Sequence, residues 1–127
     1  MLFLGEYLKQ NYHGRYYAKA QNLKRALRQA YDDLLASHDV IVMPTIPFRA
    51  TEIPPADCSR EDYVGRALDM VGNTCPFDVT GHPAMTVPCG LAEDLPIGLM
   101  IVGKRYDEAT VLRTAEAFAR ASDWRAM

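Results

Sequence analysis

From Leu4 to Leu35 the apolar positions recur at helical spacing. Leu4, Leu8, Tyr12 and Tyr16 fall at steps of four, and Leu23, Leu27, Ala30 and Leu34 continue at three and four, the pattern of a one-sided helix. Gly14 interrupts it. A glycine inside a helix costs ~1 kcal/mol relative to alanine, so Asn11 to Gly14 predicts the end of one short helix and the start of a longer one, about Arg15 to Ser37. Lys19, Lys24, Arg25 and Arg28 lie early on that helix or on its outer face, which reads as a solvated surface rather than a nucleic-acid patch. Asp32 and Asp33 sit near its C-terminus, against the dipole preference, so packing rather than electrostatics is expected to hold that end.

The period then changes. Val40-Ile41-Val42-Met43, stopped by Pro44, predicts a strand buried on both faces. Pro44, Pro47, Pro54 and Pro55 impose an extended loop, because each proline pushes its predecessor out of the helical region. Ser59 with Asp62 three residues on is an N-cap signal. It predicts a helix from about Arg60 to Val71, with Tyr63, Val64, Ala67, Leu68 and Val71 inward. Strands are expected over about Ala84 to Pro88 and Ile97 to Val102, joined by a loose hairpin containing Gly90 and Pro96. The last helix starts at Asp107, a good N-cap, with Val111, Leu112, Ala115, Phe118 and Ala119 as its buried stripe and Trp124 packing back beyond it. The stretch Asn73 to Gly103 is almost free of charge except at Glu93-Asp94, as a buried sheet element requires. Three strands among four helices are few, and both edges of such a sheet are apolar. The reading is therefore an α/β chain, residues 1–127 as a single domain, whose strands are part of a larger mixed sheet flanked by helices or completed by another chain.

Composition narrows the function classes. The chain has 127 residues, 49% apolar and 24% charged, with net charge −2, an ordinary globular composition. Mixed charges of low net value argue against a nucleic-acid or anionic-membrane surface. No apolar run approaches the ~18 residues of a membrane span. The opening MLFLGEYLKQ has too short an apolar stretch, and an acid too early, for a signal peptide. Cys58, Cys75 and Cys89 are odd in number and lack C-x-x-C spacing, which predicts reduced thiols in a cytoplasmic protein and neither a disulfide framework nor a zinc site.

Candidate chemistry is thin. His82 would need a nucleophile within ~3 Å to act as a base, and Cys75 and Cys89 are the nearest in sequence; a loop histidine capping the strand is the plainer reading. His13 and His38 read as surface residues at helix ends. Tyr12, Tyr16 and Tyr17 could line a ligand channel but sit at helical spacing, which favours a core or interface stripe. Asp78 lies in an apolar stretch, where a carboxylate must be paired or hydrogen-bonded, and backbone amides around Gly81 are its expected partners.

Several phrases together resemble the amidase signature family. Gly14-Arg15-Tyr16-Tyr17-Ala18-Lys19-Ala20-Gln21 is similar to that family's late tyrosine-rich helix. Tyr31-Asp32-Asp33 leading to Asp39-Val40-Ile41-Val42-Met43-Pro44-Thr45 resembles its strand entry. Asn73-Thr74 with Pro76 through Ala84 resembles its N-x-x-G-x-P-A region, and Leu95 through Gly103 its LP-x-G-x-Q-x-x-G phrase, with Met100 where many members have Gln. Glu108 through Phe118 fits its final helix. The phrases span essentially the whole chain, in order. They are closest to the amidases that act on the amides formed by nitrile hydratases, and are related to the A-type subunits of the glutamyl-tRNA(Gln) amidotransferases.

The resemblance implies a hydrolase of carbon–nitrogen bonds, built on a large mixed sheet between helical layers and several hundred residues long. It also implies a Ser–Ser–Lys triad in a Gly/Ser-rich stretch, an activated hydroxyl served by a base and by oxyanion donors. Here Ser37, Ser59 and Ser122 sit in no Gly-rich turn, none of Lys9, Lys19, Lys24 and Lys104 is associated with a serine as a triad requires, and there is no G-x-S-x-G. No catalytic residue, metal ligand or cofactor site carries over. The resemblance does imply a substrate-pocket wall at the helix end Val71, Gly72, Asn73 and Thr74. In the A-type amidotransferase subunits, an aspartate near that helix end helps recognise glutamine. Val71 stands at its position, which suits a neutral aliphatic or aromatic amide.

The expectation is the C-terminal portion of an amidase for small carboxamides, inactive alone and meeting its substrate only with the missing N-terminal part. The alternatives are a self-associating interaction module, a homo-oligomer through exposed apolar faces, and a fragment of an A-type amidotransferase subunit. Neither nucleic acid nor membrane is an expected partner.

Overall fold

The computed structural model describes residues 2–124, the side chains from Phe3 onward. Its elements in chain order are α1 (Leu2–Tyr12), α2 (Arg15–Ala36), β1 (Val40–Pro44), α3 (Arg60–Asp69), α4 (Cys75–Thr80), β2 (Ala84–Ala92), β3 (Leu95–Gly103) and α5 (Glu108–Ala121). The break between α1 and α2 falls where Gly14 predicts it, with His13 and Gly14 both at positive φ, 50° and 72°. α3 is capped as its sequence signals, Ser59 Oγ accepting from the Asp62 amide at 3.0 Å. α5 is capped likewise by Asp107, which accepts from the Thr110 amide at 3.3 Å.

The three strands form one antiparallel sheet in the order β1-β3-β2. The central strand β3 alternates as a doubly covered strand must. Ile101, with Leu99, packs toward Val87, Val111, Ala115 and Phe118, a core closed by α5. Met100 and Val102 pack the opposite way against Phe77 of α4 and Tyr31 of α2, with Ile41 and Met43 of β1. The sheet is thus sandwiched between α5 on one face and α4 with the end of α2 on the other. Met100 is only 2% exposed, so its thioether fills core space. Each such side chain is worth roughly 1.5–3 kcal/mol of burial.

Several expectations are corrected. The hairpin is tight rather than loose. β2 and β3 run on to Ala92 and Leu95, and Glu93-Asp94 turn with φ of 52° and 62°, the doubly positive pair that matches strand twist. The irregularity lies inside β2, where the register shifts between Pro88 and Gly90. β1 is an edge, and Val42 is 55% exposed although Val40 of the same strand packs against the core that α5 closes. α3 stops at Asp69 and buries nothing; Tyr63, Val64, Leu68 and Val71 are all exposed. In α2 the leucine stripe Leu23, Leu27 and Leu34 is exposed, while Leu35 is the buried residue and Arg28 and Tyr31 face the body. Leu112 and Ala119 fall outside the buried stripe of α5. Tyr12, Tyr16 and Tyr17 are exposed and no part of a core. Tyr12 contacts Tyr7 and Tyr16 edge-on. Trp124 is half-buried at a depression it shares with Val87 and Pro88.

A helix absent from the sequence expectation, α4, fills the space before β2. Pro76 stands at its start and Gly81, φ 77°, ends it, the Gly81 amide donating to the Phe77 carbonyl at 2.7 Å, the usual proline-in, glycine-out punctuation. Asp78 is exposed in its first turn rather than bonded around Gly81.

Candidate functional site

Val71 to Thr74 form the turn between α3 and α4. Its backbone is closed by local bonds: the amides of Gly72, Thr74 and Cys75 donate to Asp69, Val71 and Val71 carbonyls at 3.3, 3.2 and 2.9 Å. Thr74 Oγ1 adds a bond to the Val71 carbonyl at 3.3 Å. Long range, the turn is fixed by Asn73, whose Nδ2 donates to the Pro44 carbonyl at 2.9 Å. Gly72 lies against Pro47, close enough that a Cβ would sit 3.6 Å from its Cγ. The four residues therefore border the end of β1 and the loop that leaves it. Val71 is 37% exposed and places an isopropyl group, not a charge, at the surface of this turn.

The same strand end carries a polar pair. Thr45 donates its amide to the Gly98 carbonyl at 2.9 Å, and the hydroxyls of Thr45 and Thr86 meet at 3.0 Å across β3. They meet because position 98 has no side chain: a Cβ there would lie 2.8 Å from both Thr45 Oγ1 and Thr86 Cγ2. A depression of about 260 Å³ opens beside them, lined by Ile46, Pro47, Phe48 and Ile97, with Arg49 at its rim. Arg49 is ion-paired to Glu93 of the hairpin turn. Sequence reading finds neither the threonine pair nor Asn73's anchor, because the partners lie 41 and 29 residues apart.

A second polar cluster is the most connected in the molecule. His82 accepts or donates at both ring nitrogens, Nδ1 to Thr80 Oγ1 at 2.8 Å and Nε2 to Asp32 Oδ1 at 3.3 Å. Arg105 reaches Asp32 with Nε and Nη2 at 3.3 and 3.4 Å, and Arg28 Nε donates to the Thr80 carbonyl at 2.9 Å. The Tyr31 ring stands edge-on to the imidazole at 5.7 Å. Hydroxyl, imidazole and carboxylate follow one another here as in a nucleophilic triad, but access forbids that use. Thr80 is fully buried and the His82 side chain is 0% exposed, so no substrate carbonyl can approach the hydroxyl. The cluster ties α2, α4, the entry to β2 and the turn after β3. Burial raises the Asp32 carboxyl, but the Arg105 hydrogen bond and charge, joined by His82, outweigh it and hold the group below its ordinary 3.8. Asp107 is likewise lowered, first by its bond from Thr110 and against burial.

Thus His82 lies in the loop between α4 and β2, as expected, but it is a buried joint, and both ring nitrogens are engaged away from Cys75 and Cys89. Electrostatics, not packing alone, holds the end of α2. Arg28 belongs to the body instead of a solvated face. The signal was present in the sequence as a carboxylate at the wrong end of a helix; its cation lies 73 residues on. His13 and His38 are exposed at helix ends as expected. The three cysteines are free, and among the described residues no group of His, Cys, Asp or Glu could hold a metal ion. No helix there is long and apolar enough to cross a membrane.

The serines are all helix caps. Ser37 Oγ donates to the Leu34 carbonyl at the end of α2, Ser59 bonds Asp62 at the start of α3, and Ser122 Oγ donates to the Phe118 carbonyl at the end of α5. Among the described residues no lysine is hydrogen-bonded to any of them.

Comparison with known proteins places these features in context. The profile of the Amidase family matches residues 1–112. An uncharacterized protein of the nthA 5' region of Rhodococcus erythropolis is 50% identical over 84% of this chain and 54% of its own length. An enantioselective amidase of Rhodococcus rhodochrous is 51% identical over 87% of the chain, but 22% of its own length. The A-type subunit of the glutamyl-tRNA(Gln) amidotransferase of Methanosarcina mazei is 40% identical over 97% of the chain and 25% of its own length. Among solved structures, the A-type subunit of the Thermotoga maritima amidotransferase superposes with a TM-score of 0.73 at 26% identity, over 98% of this chain and 26% of that one. A bacterial aryl acylamidase of the amidase signature family gives 0.69 at 28% identity, over 82% and 22%. The chain spans between about a fifth and about half the length of these relatives.

Proposed function

The chain belongs to the amidase family, and from that premise we propose that it is the C-terminal portion of an amidase for small carboxamides. It supplies part of the sheet, helical cover and one wall of the acyl pocket, and it has no hydrolytic activity alone. The observation that carries this reading is the fate of the hydroxyls: Ser37, Ser59 and Ser122 are all spent on helix ends. A hydroxyl becomes a useful nucleophile only with a base in reach. Two hydroxyls have an imidazole beside them: Thr80, next to His82, is sealed, and Ser37, 3.0 Å from His38 Nδ1, donates to the Leu34 carbonyl that the same imidazole nitrogen also contacts.

The wall is Val71, Gly72, Asn73 and Thr74. Asn73 anchors it to the sheet through the Pro44 carbonyl, and Val71 gives it an apolar contact that suits a neutral aliphatic or aromatic amide. The R. rhodochrous relative, 51% identical, is an enantioselective amidase, which supports a carboxamide substrate. The M. mazei amidotransferase relative, at 40% identity, supports a second assignment as a fragment of an A-type subunit, which an apolar Val71 disfavours for a glutamine substrate. A reading from another class is also supported by an observation. The exposed Leu23, Leu27, Tyr63 and Leu68 suit a free-standing module that associates with itself.

The test is an assay of the purified 127-residue protein with a simple carboxamide such as benzamide, following ammonia release. No turnover above buffer is expected, and turnover that survives repurification overturns the proposal.

A further inference from the structure

Charge is divided along this chain in a way its net value conceals. Residues 1–28 carry six basic side chains (Lys9, Arg15, Lys19, Lys24, Arg25 and Arg28) against Glu6 alone, so the first part of the chain is +5 and the remainder, with eight bases and fifteen acids, is −7. The basic part is the α1–α2 arm, in which no described residue before Leu35 is buried. Between the two helices runs a groove of about 910 Å³, lined by Leu8, Tyr16, Tyr17 and Ala20 with Lys9 at its side. Opposite in character is α3. It buries none of its residues and exposes Tyr63, Val64 and Leu68, and the stretch from Glu52 to Asp78 holds six acids against two arginines.

We propose that the arm groove of one copy takes α3 of a second copy. An amphipathic helix laid into an apolar groove is a general recognition mode. Here the apolar side chains of α3 would replace water on Leu8, Tyr16 and Tyr17, while Glu61 and Asp69 meet Lys9 and Lys19. Both surfaces are present on every copy and differ from one another, so the contact is heterologous and repeats into a ring or an open chain instead of a closed two-fold dimer. The contact concerns the isolated chain and needs no hydrolytic activity, so it stands or falls separately from the carboxamide reading.

Sedimentation velocity tests it. At about 50 mM salt the protein is expected to sediment as an assembly, and at about 0.5 M salt, where the screening length is only a few ångströms, as the 14.2 kDa monomer. A chain with Lys9→Glu and Lys19→Glu, and another with Glu61→Lys and Asp69→Lys, are each expected to be monomeric at low salt, because the four contact positions then set like charges against each other. Mixed in equal amounts, they are expected to assemble again. A monomer at low salt, an assembly indifferent to salt, variants that assemble like the parent, or a mixture that stays monomeric overturns the proposal.

Discussion

The body of this chain and its α1–α2 arm are built from the same kinds of sequence and fare differently. Both carry apolar faces. In the body β3 finds α5 on one face and α4 with the end of α2 on the other, and every residue from Met100 to Gly103 is buried. In the arm the stripe Leu23, Leu27 and Leu34 finds nothing and remains exposed, as does the outward side of α3. An apolar face needs covering, but the pattern does not say whether the covering lies in the same chain. The comparison therefore locates what this polypeptide can satisfy alone and what it must satisfy elsewhere.

The sharpest way to break the comparison is to make one change in both places. Ile101→Ala is expected to cost about 2–5 kcal/mol in urea unfolding, the range for a buried large-to-small change. If it costs no more than Leu27→Ala in the arm, the division of the molecule is wrong. At the joint between the regions, His82→Ala leaves Thr80 and Asp32 short of a partner, and a loss of about 1–3 kcal/mol is expected by the same measurement. A smaller effect is expected from pH. The Asp32 carboxyl is lowered in the fold, so its stabilisation is complete above the ordinary 3.8 and is lost as pH falls through the folded value. Asp32→Asn should flatten that part of a thermal-melt pH profile, and an unchanged profile would show that the Arg105 pair contributes nothing. At the small end, Leu27→Ala and Tyr17→Ser should move stability by no more than about 0.5 kcal/mol. Amide exchange gives the same ordering without mutation: α1 and α3 should exchange well before β3.

What the sequence discloses follows the range of the interaction. Gly14, the Ser59 and Asp107 caps and the apolar run of β3 act within a few residues, and each element they announce is present. α4 was legible too, in Pro76 and Gly81, but a six-residue helix is too short for a hydrophobic period to register. The face of α2 was not legible: its leucine stripe is the stronger pattern, yet Tyr31 is turned inward by Phe77 and His82, which lie some fifty residues on. The proposed wall shows the same limit. Its residues could be named from their resemblance to a family phrase, whereas their attachment, Asn73 to the Pro44 carbonyl, depends on two segments meeting in space.

The strand order β1-β3-β2 also sets a timetable. After β1 a ribosome must deliver about fifty more residues, Thr45 through Asp94, before the strand that pairs with both β1 and β2 emerges. Until then β1 lacks its β3 partner, and Phe77 lacks the β3 side chains it covers. Nascent chains of this kind expose apolar surface while they wait, the state in which aggregation competes with folding. The centre of this sheet is therefore its last part to be made, and successful synthesis rests on how well the earlier segments are shielded until β3 arrives.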